Sequence, residues 1–177
     1  MIVLGIDPGS RCTGYSVVQQ VASRFQLITA GVIQTNTSSS IPQRLSEIYD
    51  GLQRVITHNQ PTSAAIESIF AGKSAQSALL LGQARGTALV VLAKNGLDVS
   101  EYNPMTIKKA IAGHGRAGKP EVIRVVKKLV GSTERLSSDA ADATAIAITH
   151  LLQSRFHNRL QQAQNAQRTR RSSAAKK

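Results

Sequence analysis

Acidic residues are scarce in this chain of 177 residues, which has ten Asp and Glu against 22 Lys and Arg and a formal net charge of +12. Tryptophan is absent, and aromatic residues make up only 3% of the chain. Such an excess of positive charge predicts an anionic partner. Nucleic acid is favoured over a membrane, because no segment has the pattern of a convincing amphipathic anchor.

Cysteine and long apolar runs are also lacking. The single cysteine excludes an internal disulfide, and four scattered histidines offer no zinc-binding spacing, so Cys12 is interpreted as a small loop or core residue. The longest apolar run, residues 88–93, is far too short to span a bilayer. The amino-terminal segment lacks the pattern of a secretory signal, so we expect a cytoplasmic protein with no membrane partner.

Hydrophobic periodicity predicts an α/β fold. Residues 1–6, 14–21 and 25–34 have the pattern of three consecutive strands, which favours an antiparallel meander. Two further strands, at 63–67 and 97–102, alternate with helices, which indicates parallel crossovers. Five helices are predicted. The first starts at Pro42, the next three cover 74–95, 104–112 and 120–130, and the last starts at Ser138. We therefore expect a five-stranded mixed sheet, with three antiparallel strands followed by two parallel ones, flanked by helices.

The chain divides into a domain and a tail by composition. Residues 1–154 have the apolar periodicity of a single domain and still contain more basic than acidic residues. Residues 155–177 lose that periodicity and contain seven basic residues and no acid. This second segment is predicted to be a disordered basic tail.

Four of the ten acids lie at the ends of apolar segments, where an unpaired charge is costly to bury: Asp7, Glu67, Asp139 and Asp142. Asp7 and Glu67 end predicted strands that would be neighbours at the centre of the sheet. Asp139 and Asp142 are three residues apart at the start of a helix, so they share a face. Hard divalent cations prefer oxygen ligands, and convergence of these side chains would therefore create a Mg²⁺ site for phosphodiester cleavage.

Each acid taken alone also has a structural interpretation. Asp7 could initiate a turn at the Pro-Gly that follows it. Glu67 could form an ion pair with a nearby arginine. Asp139 and Asp142 could be first-turn acids that complement the helix dipole, with Ser138 or Asp139 as the N-cap. The joint occurrence of the four acids is what favours a metal site.

Four segments carry a resemblance to a known family: IDPGSRCTGY at 6–15, IESIF at 66–70, ALLLGQARGTAL at 78–89 and DAADATAIAITH at 139–150. In this order and spacing they resemble the RuvC family of Holliday-junction resolvases, over roughly residues 1–152. The resemblance implies a ribonuclease H-like fold for the nuclease domain. It also implies that the four acids are catalytic and bind one or two Mg²⁺ ions, for which Mn²⁺ can substitute.

The same resemblance implies a structure-selective endonuclease of DNA recombination and repair. Its members nick two strands of a four-way junction symmetrically, leaving 5′-phosphate and 3′-hydroxyl ends. The implied partners are junction DNA, a second copy of the chain and the RuvA–RuvB branch-migration complex. The helix predicted over 74–95, which Gly82 and Gly86 make thin, is expected at or near the dimer interface. The alternatives are a RuvC-like nuclease of ribosomal RNA maturation and a non-catalytic junction-binding module.

Four residues are predicted to contact DNA. Phe70 is an aromatic side chain near a glycine and Lys73, so it could wedge between bases, whereas packing in the core is the alternative. The family resemblance favours the wedge. Lys108 and Lys119 lie in a segment, 103–131, that has seven basic residues and one acid, and the resemblance implies that both lie near the cleaved strands.

Overall fold

The computed structural model describes residues 1–68, 75–131 and 136–174, with side chains as far as Phe156. The elements, in chain order, are β1 (Ile2–Asp7), β2 (Cys12–Val21), β3 (Arg24–Gln34), α1 (Ile41–Asn59), β4 (Ser63–Glu67), α2 (Ala75–Lys94), β5 (Val99–Tyr102), α3 (Pro104–Ala112), α4 (Lys119–Val130) and α5 (Ser138–Ala174). Among the described residues, no helix combines the length and apolarity needed to cross a membrane.

The five strands form one mixed sheet in the order β3-β2-β1-β4-β5. β1 pairs antiparallel with β2, and β2 with β3, whereas β1 pairs parallel with β4, and β4 with β5. The tight connection between β2 and β3 passes through Ala22, whose φ of 53° lies in the left-handed region. The predicted sheet, with three antiparallel strands and then two parallel ones, is confirmed. Only the last strand is shorter than predicted, since it begins at Val99.

Helices cover both faces of the sheet. Apolar residues of α1 and α2 pack on one face, in a cluster that includes Leu4, Ile6, Val17, Ile48, Leu52, Ala88 and Leu92. Apolar residues of α3, α4 and α5 pack on the other, in a cluster that includes Val3, Val18, Ala65, Ile107, Val122, Ile146 and Leu151. The central strands are buried on both faces, which explains why β1 and β4 are apolar almost throughout.

Two glycines allow α5 to lie unusually close to the sheet. A Cβ atom added at Gly5 of β1 would lie 2.1 Å from the carbonyl oxygen of Ala143, and one added at Gly14 of β2 would lie 2.2 Å from that of Asp139. A buried hydrogen bond of 2.9 Å between the hydroxyls of Ser16 and Thr144 joins the same two elements. The first turns of α5 are therefore fixed directly over the ends of β1 and β2.

The start of α5 differs from the sequence-based expectation. The hydroxyl oxygen of Ser137 accepts a hydrogen bond from the backbone N–H of Ala140 at 3.3 Å. The cap is thus Ser137, and the interpretation of Ser138 or Asp139 as the N-cap is wrong. At its other end the helix continues through the predicted boundary at residue 154 to Ala174. The assignment of residues 155–177 to a disordered tail stays a prediction.

Candidate metal centre

Strand alternation and register place Asp7 and Glu67 side by side. Successive side chains of a strand point to opposite faces, so Asp7 lies on the α5 face together with Gly5, and Glu67 lies there together with Ala65. β1 and β4 are parallel neighbours with Ile6 opposite Ile66, which brings the next residue of each strand to the same level. The two carboxyl groups are joined by a side-chain hydrogen bond.

The first turns of α5 supply two more carboxylates to the same place. Asp139 and Asp142 lie on the face of α5 that meets the sheet. Together with Asp7 they offer three carboxylate oxygens that all lie within 4.8 Å of one another. Glu67 adjoins this group through its hydrogen bond to Asp7. The structure therefore brings the four predicted acids together, from two central strands and one helix.

Burial and mutual repulsion oppose ionisation of the carboxyl groups in this cluster. Burial, followed by the charges of Glu67, Asp142 and Asp139, raises the pKa of Asp7 from 3.8 to about 8. Burial and the charge of Asp142 also raise the pKa of Glu67. A divalent cation relieves such repulsion, and a donor set made only of carboxylate oxygens suits a hard cation. The residues present therefore fit a metal ion.

Two further side chains contact the acids. The ammonium nitrogen of Lys119, in the first turn of α4, lies 2.7 Å from a carboxylate oxygen of Asp142, and this hydrogen bond raises the pKa of Lys119. Burial and a hydrogen bond to Asp139 raise the pKa of the Cys12 thiol to about 11. Cys12 is therefore a neutral thiol at the start of β2, beside Asp139.

A cavity of about 230 Å³ opens beside the acids and is lined by Glu67, Asp142, Lys108, Lys119 and an apolar wall of Pro104, Ile107, Val122, Ala145 and Ile146. The two lysines reach it from α3 and α4, so a phosphate next to the acids would meet positive charge on the cavity side. The predicted contacts Phe70 and Lys73 lie outside the described residues.

The structure also bears on the structural interpretations of the acids. Asp7 lies within β1 and its carboxyl group bonds Glu67. Arg85, which donates to the backbone carbonyl of Glu67, forms its ion pair with Glu101 and not with the Glu67 carboxylate. Ser137 takes the cap position at α5, which leaves Asp139 free to face Asp7.

Some residues that shape the site were missed in the sequence. Gly5 and Gly14 set how near α5 lies, and their only signal was a glycine within an otherwise apolar or β-branched strand. Arg85 donates a hydrogen bond to the backbone carbonyl of Glu67 from the middle of α2. Its sequence position offered no signal, because it depends on a contact between elements 18 residues apart.

Comparisons with known proteins identify the family. The family model described as crossover junction endodeoxyribonuclease RuvC matches residues 3–150. A relative of that name from Histophilus somni is 48% identical over 160 residues, which cover 90% of this chain and 83% of the relative. Another, from Geobacter sulfurreducens, is 45% identical over 150 residues, covering 85% and 92%.

Solved structures agree with this assignment. Thermus thermophilus RuvC, 34% identical, superposes with a TM-score of 0.81 over 89% of this chain and 97% of that one. The same protein in complex with a Holliday junction substrate gives a TM-score of 0.84 over 89% and 96%. The yeast mitochondrial Holliday junction resolvase, 16% identical, covers 83% and 77% with a TM-score of 0.58 and shows the shared fold alone. The predicted ribonuclease H-like fold is confirmed, and the chain belongs to the RuvC family of crossover junction endodeoxyribonucleases.

Proposed function

We propose that this protein resolves Holliday junctions by Mg²⁺-dependent nicking of two strands at symmetric positions. The observation that carries the proposal is the convergence of Asp7, Glu67, Asp139 and Asp142 beside two lysines in an otherwise basic molecule. A similar protein, from T. thermophilus, has been solved in complex with a Holliday junction substrate. The proposal extends that substrate to this chain.

The acids would hold one or two Mg²⁺ ions, or Mn²⁺ in their place. Such an ion polarises the scissile phosphate and lowers the pKa of a water molecule, which supplies the nucleophile. Among the proposed ligands, Asp7, Asp139 and Asp142 have oxygens within 4.8 Å of one another. Glu67 would be the fourth ligand and lies on the side of the cavity. The proposed products are 5′-phosphate and 3′-hydroxyl ends, as the family resemblance implies.

The lysines would orient the strand to be cut. Lys119 pairs with Asp142 in the DNA-free protein, so its ammonium group is already held beside the metal site. A phosphate placed there would accept a hydrogen bond from Lys119 while Lys108 approaches from α3. Phe70 and Lys73 follow Glu67 closely in the chain, which supports the proposal that they contact the junction near its crossover point.

A dimer would place two such sites on the two-fold symmetric junction. On α2, Leu79 and Val90 are large apolar residues with 64% and 52% of their surface exposed. Gly82 and Gly86 lie between them at helical spacing, and a Cβ added at either glycine would meet nothing within 4 Å. This stripe supports an interface between two α2 helices. Partnership with RuvA–RuvB is proposed on the family resemblance.

One assay tests the function. The protein and Asp7→Asn are incubated with a synthetic four-way junction, a linear duplex and single-stranded RNA, each with Mg²⁺ or EDTA. We expect paired nicks in the junction only, with Mg²⁺ only and not with the variant, and the nicks should be closed by a ligase. Binding without cleavage in every condition would identify a non-catalytic module. Preferential cleavage of the RNA would favour the role in ribosomal RNA maturation.

A further inference from the structure

Arg85 connects three elements at the edge of the metal centre. It lies in the middle of α2, and 15% of its side chain is exposed. Its Nε–H donates a hydrogen bond of 3.3 Å to the carbonyl oxygen of Glu67, the last residue of β4. Its Nη2 atom lies 2.5 Å from a carboxylate oxygen of Glu101 on β5. One guanidinium group thus ties α2 to the ends of two neighbouring strands.

These contacts act on the peptide group that carries a proposed metal ligand. β4 and β5 are paired as far as Glu67 opposite Tyr102, and the N–H of Ser68 donates to the carbonyl of Tyr102 at 2.9 Å. The carbonyl oxygen of Glu67 belongs to the same peptide group as the N–H of Ser68, so Arg85 and Tyr102 together hold this peptide group through both of its polar atoms. A metal ligand needs such support, because displacement of a ligand by a fraction of an ångström weakens coordination.

The chemistry of the contact requires arginine. The planar guanidinium donates from Nε and Nη2 in fixed relative directions, so it can bond the Glu67 carbonyl and the Glu101 carboxylate together. A lysine at this position could keep the ion pair with Glu101 but has a single donor atom. An ordinary ion pair for packing α2 would need only the charge, whereas the bond to the Glu67 carbonyl adds a directional restraint.

We propose that Arg85 is a positioning residue that holds Glu67 in place for metal binding. The proposal rests on the proposed function only in taking Glu67 as a metal ligand. Arg85 directly precedes Gly86, which belongs to the exposed apolar stripe of α2. The bond from Arg85 to the Glu67 carbonyl therefore joins the proposed dimer helix to the metal centre. Arg85 does not touch the reacting groups in this role; it acts through the backbone of Glu67.

The test measures metal binding without DNA. Binding of Mn²⁺ to the full chain is followed by the electron paramagnetic resonance signal of free Mn²⁺, for wild type, Arg85→Lys, Arg85→Gln and Glu101→Gln. We expect Arg85→Lys and Arg85→Gln to weaken Mn²⁺ binding about 10-fold, as loss of support for a metal ligand does. Glu101→Gln retains the bond to Glu67 and should change binding less than about threefold.

The control is Lys94→Gln, which removes a cation from the end of the same helix, where Lys94 lies 5.8 Å from the centre of the Tyr49 ring. This variant should bind Mn²⁺ as wild type does. Junction cleavage, measured in parallel over a range of Mg²⁺ concentrations, should reach half its maximal rate at a higher concentration in Arg85→Lys. Junction binding in EDTA should not change.

Thermal unfolding separates positioning from packing. If Arg85→Lys is folded and binds Mn²⁺ as tightly as wild type, Arg85 has no positioning role, whatever its effect on melting temperature. Wild type that binds no Mn²⁺ also overturns the inference. If wild type binds Mn²⁺ in an Arg85-dependent manner but leaves the junction uncut, the inference stands and the proposed function fails.

Discussion

At the scale of single residues, Asp7 shows the conflict between burial and charge most clearly. Burial and the negative charges of the other three acids all raise the pKa of Asp7, which reaches about 8. In the metal-free protein near neutral pH, Asp7 therefore retains a proton and bonds to Glu67. Metal binding must displace this proton, so we expect metal affinity to increase as the pH rises through about 8.

Asp7→Asn should lose activity and gain stability. The folded-state pKa of Asp7 lies above its ordinary value of 3.8, so in EDTA the folded state loses stability as the pH rises from about 4 to about 8. Asparagine removes that cost, so at pH 8 the melting temperature of the variant should lie several degrees above that of wild type. Each kcal/mol of added stability corresponds to about 2–4 °C. Junction cleavage should fall at least about 100-fold.

The matching measurement is calorimetry with and without Mg²⁺. Added Mg²⁺ should stabilise the wild-type protein, because it binds only the folded state, and should have much less effect on Asp7→Asn. If the variant is less stable than wild type in EDTA at pH 8, Asp7 has a structural role and repulsion among the acids is not the dominant effect.

Lys108→Ala tests the positive side of the site. Lys108 lines the cavity next to Glu67, and its loss should remove one phosphate contact. The slope of log K against log salt concentration should then flatten by about 0.9 for duplex DNA. Lys94→Ala, on the other face of the sheet, should leave the slope unchanged. An unchanged slope in Lys108→Ala would exclude this residue from the interface.

At the scale of elements, the distance between α5 and the sheet decides whether the acids meet. Gly14 lies opposite Asp7 in the register of β1 and β2, and the backbone of Asp139 lies directly above it. A side chain at Gly14 would therefore separate the carboxylates supplied by β1 from those supplied by α5. The absence of a Cβ atom is what allows the contact.

Gly14→Ala should consequently damage the site and the fold together. The added methyl group would lie 2.2 Å from the carbonyl oxygen of Asp139, so the helix must shift. We expect a loss of about 1–3 kcal/mol in unfolding free energy. Mn²⁺ affinity should fall even under conditions in which the variant is fully folded, since the spacing of Asp7 and Asp139 changes.

Gly118→Ala is the matched control for this substitution. A Cβ at Gly118 would meet only a side-chain atom of Pro120, at 3.7 Å, an ordinary contact. Gly118 is the N-cap of α4, where alanine is less favourable, so the variant should lose at most about 1 kcal/mol of stability, and its Mn²⁺ affinity should stay close to wild type. Wild-type metal affinity in Gly14→Ala would show that the close approach of α5 is not needed for the site.

At the scale of the whole molecule, opposite charges are separated into a small acidic site and a large basic surface. The chain carries a net charge of +12, yet four of its ten acids converge on one edge of the sheet. The positive surface would attract the phosphates of DNA, while the acidic pocket would hold the cations that cleavage needs. Each part would be ineffective without the other, because DNA repels a bare acidic site.

Val90→Asp tests the proposed dimer at this scale. Val90 is 52% exposed on α2, so a charge there should cost little stability in the monomer but should disrupt an apolar interface. Sedimentation at micromolar concentration should show a dimer for wild type and a monomer for the variant, with paired nicking of the junction reduced. Met105→Asp, at an apolar residue of α3 with 69% exposed, should remain a dimer. A wild-type monomer would contradict the proposal.

Much of the fold and part of the site could be predicted from the amino-acid sequence. The strands, their directions and most helix ends follow from local periodicity and from residues such as Pro104 and Gly113, which act within a few positions. Asp7 and Glu67 could be recognised because a charge at the end of a buried apolar strand is anomalous on local grounds. These features depend on neighbours in the chain, which the sequence contains directly.

Only the tertiary structure decided what depends on distance between elements. The register of β1 and β4 and the alternation of their side chains put Asp7 and Glu67 on the α5 face. The absence of side chains at Gly5 and Gly14 lets Asp139 approach them. The contacts of Cys12 with Asp139 and of Arg85 with Glu67 arise from the same close packing. The sequence by itself determined which residues could bind metal, whereas packing determined that they meet, because the contacts join side chains far apart in the chain.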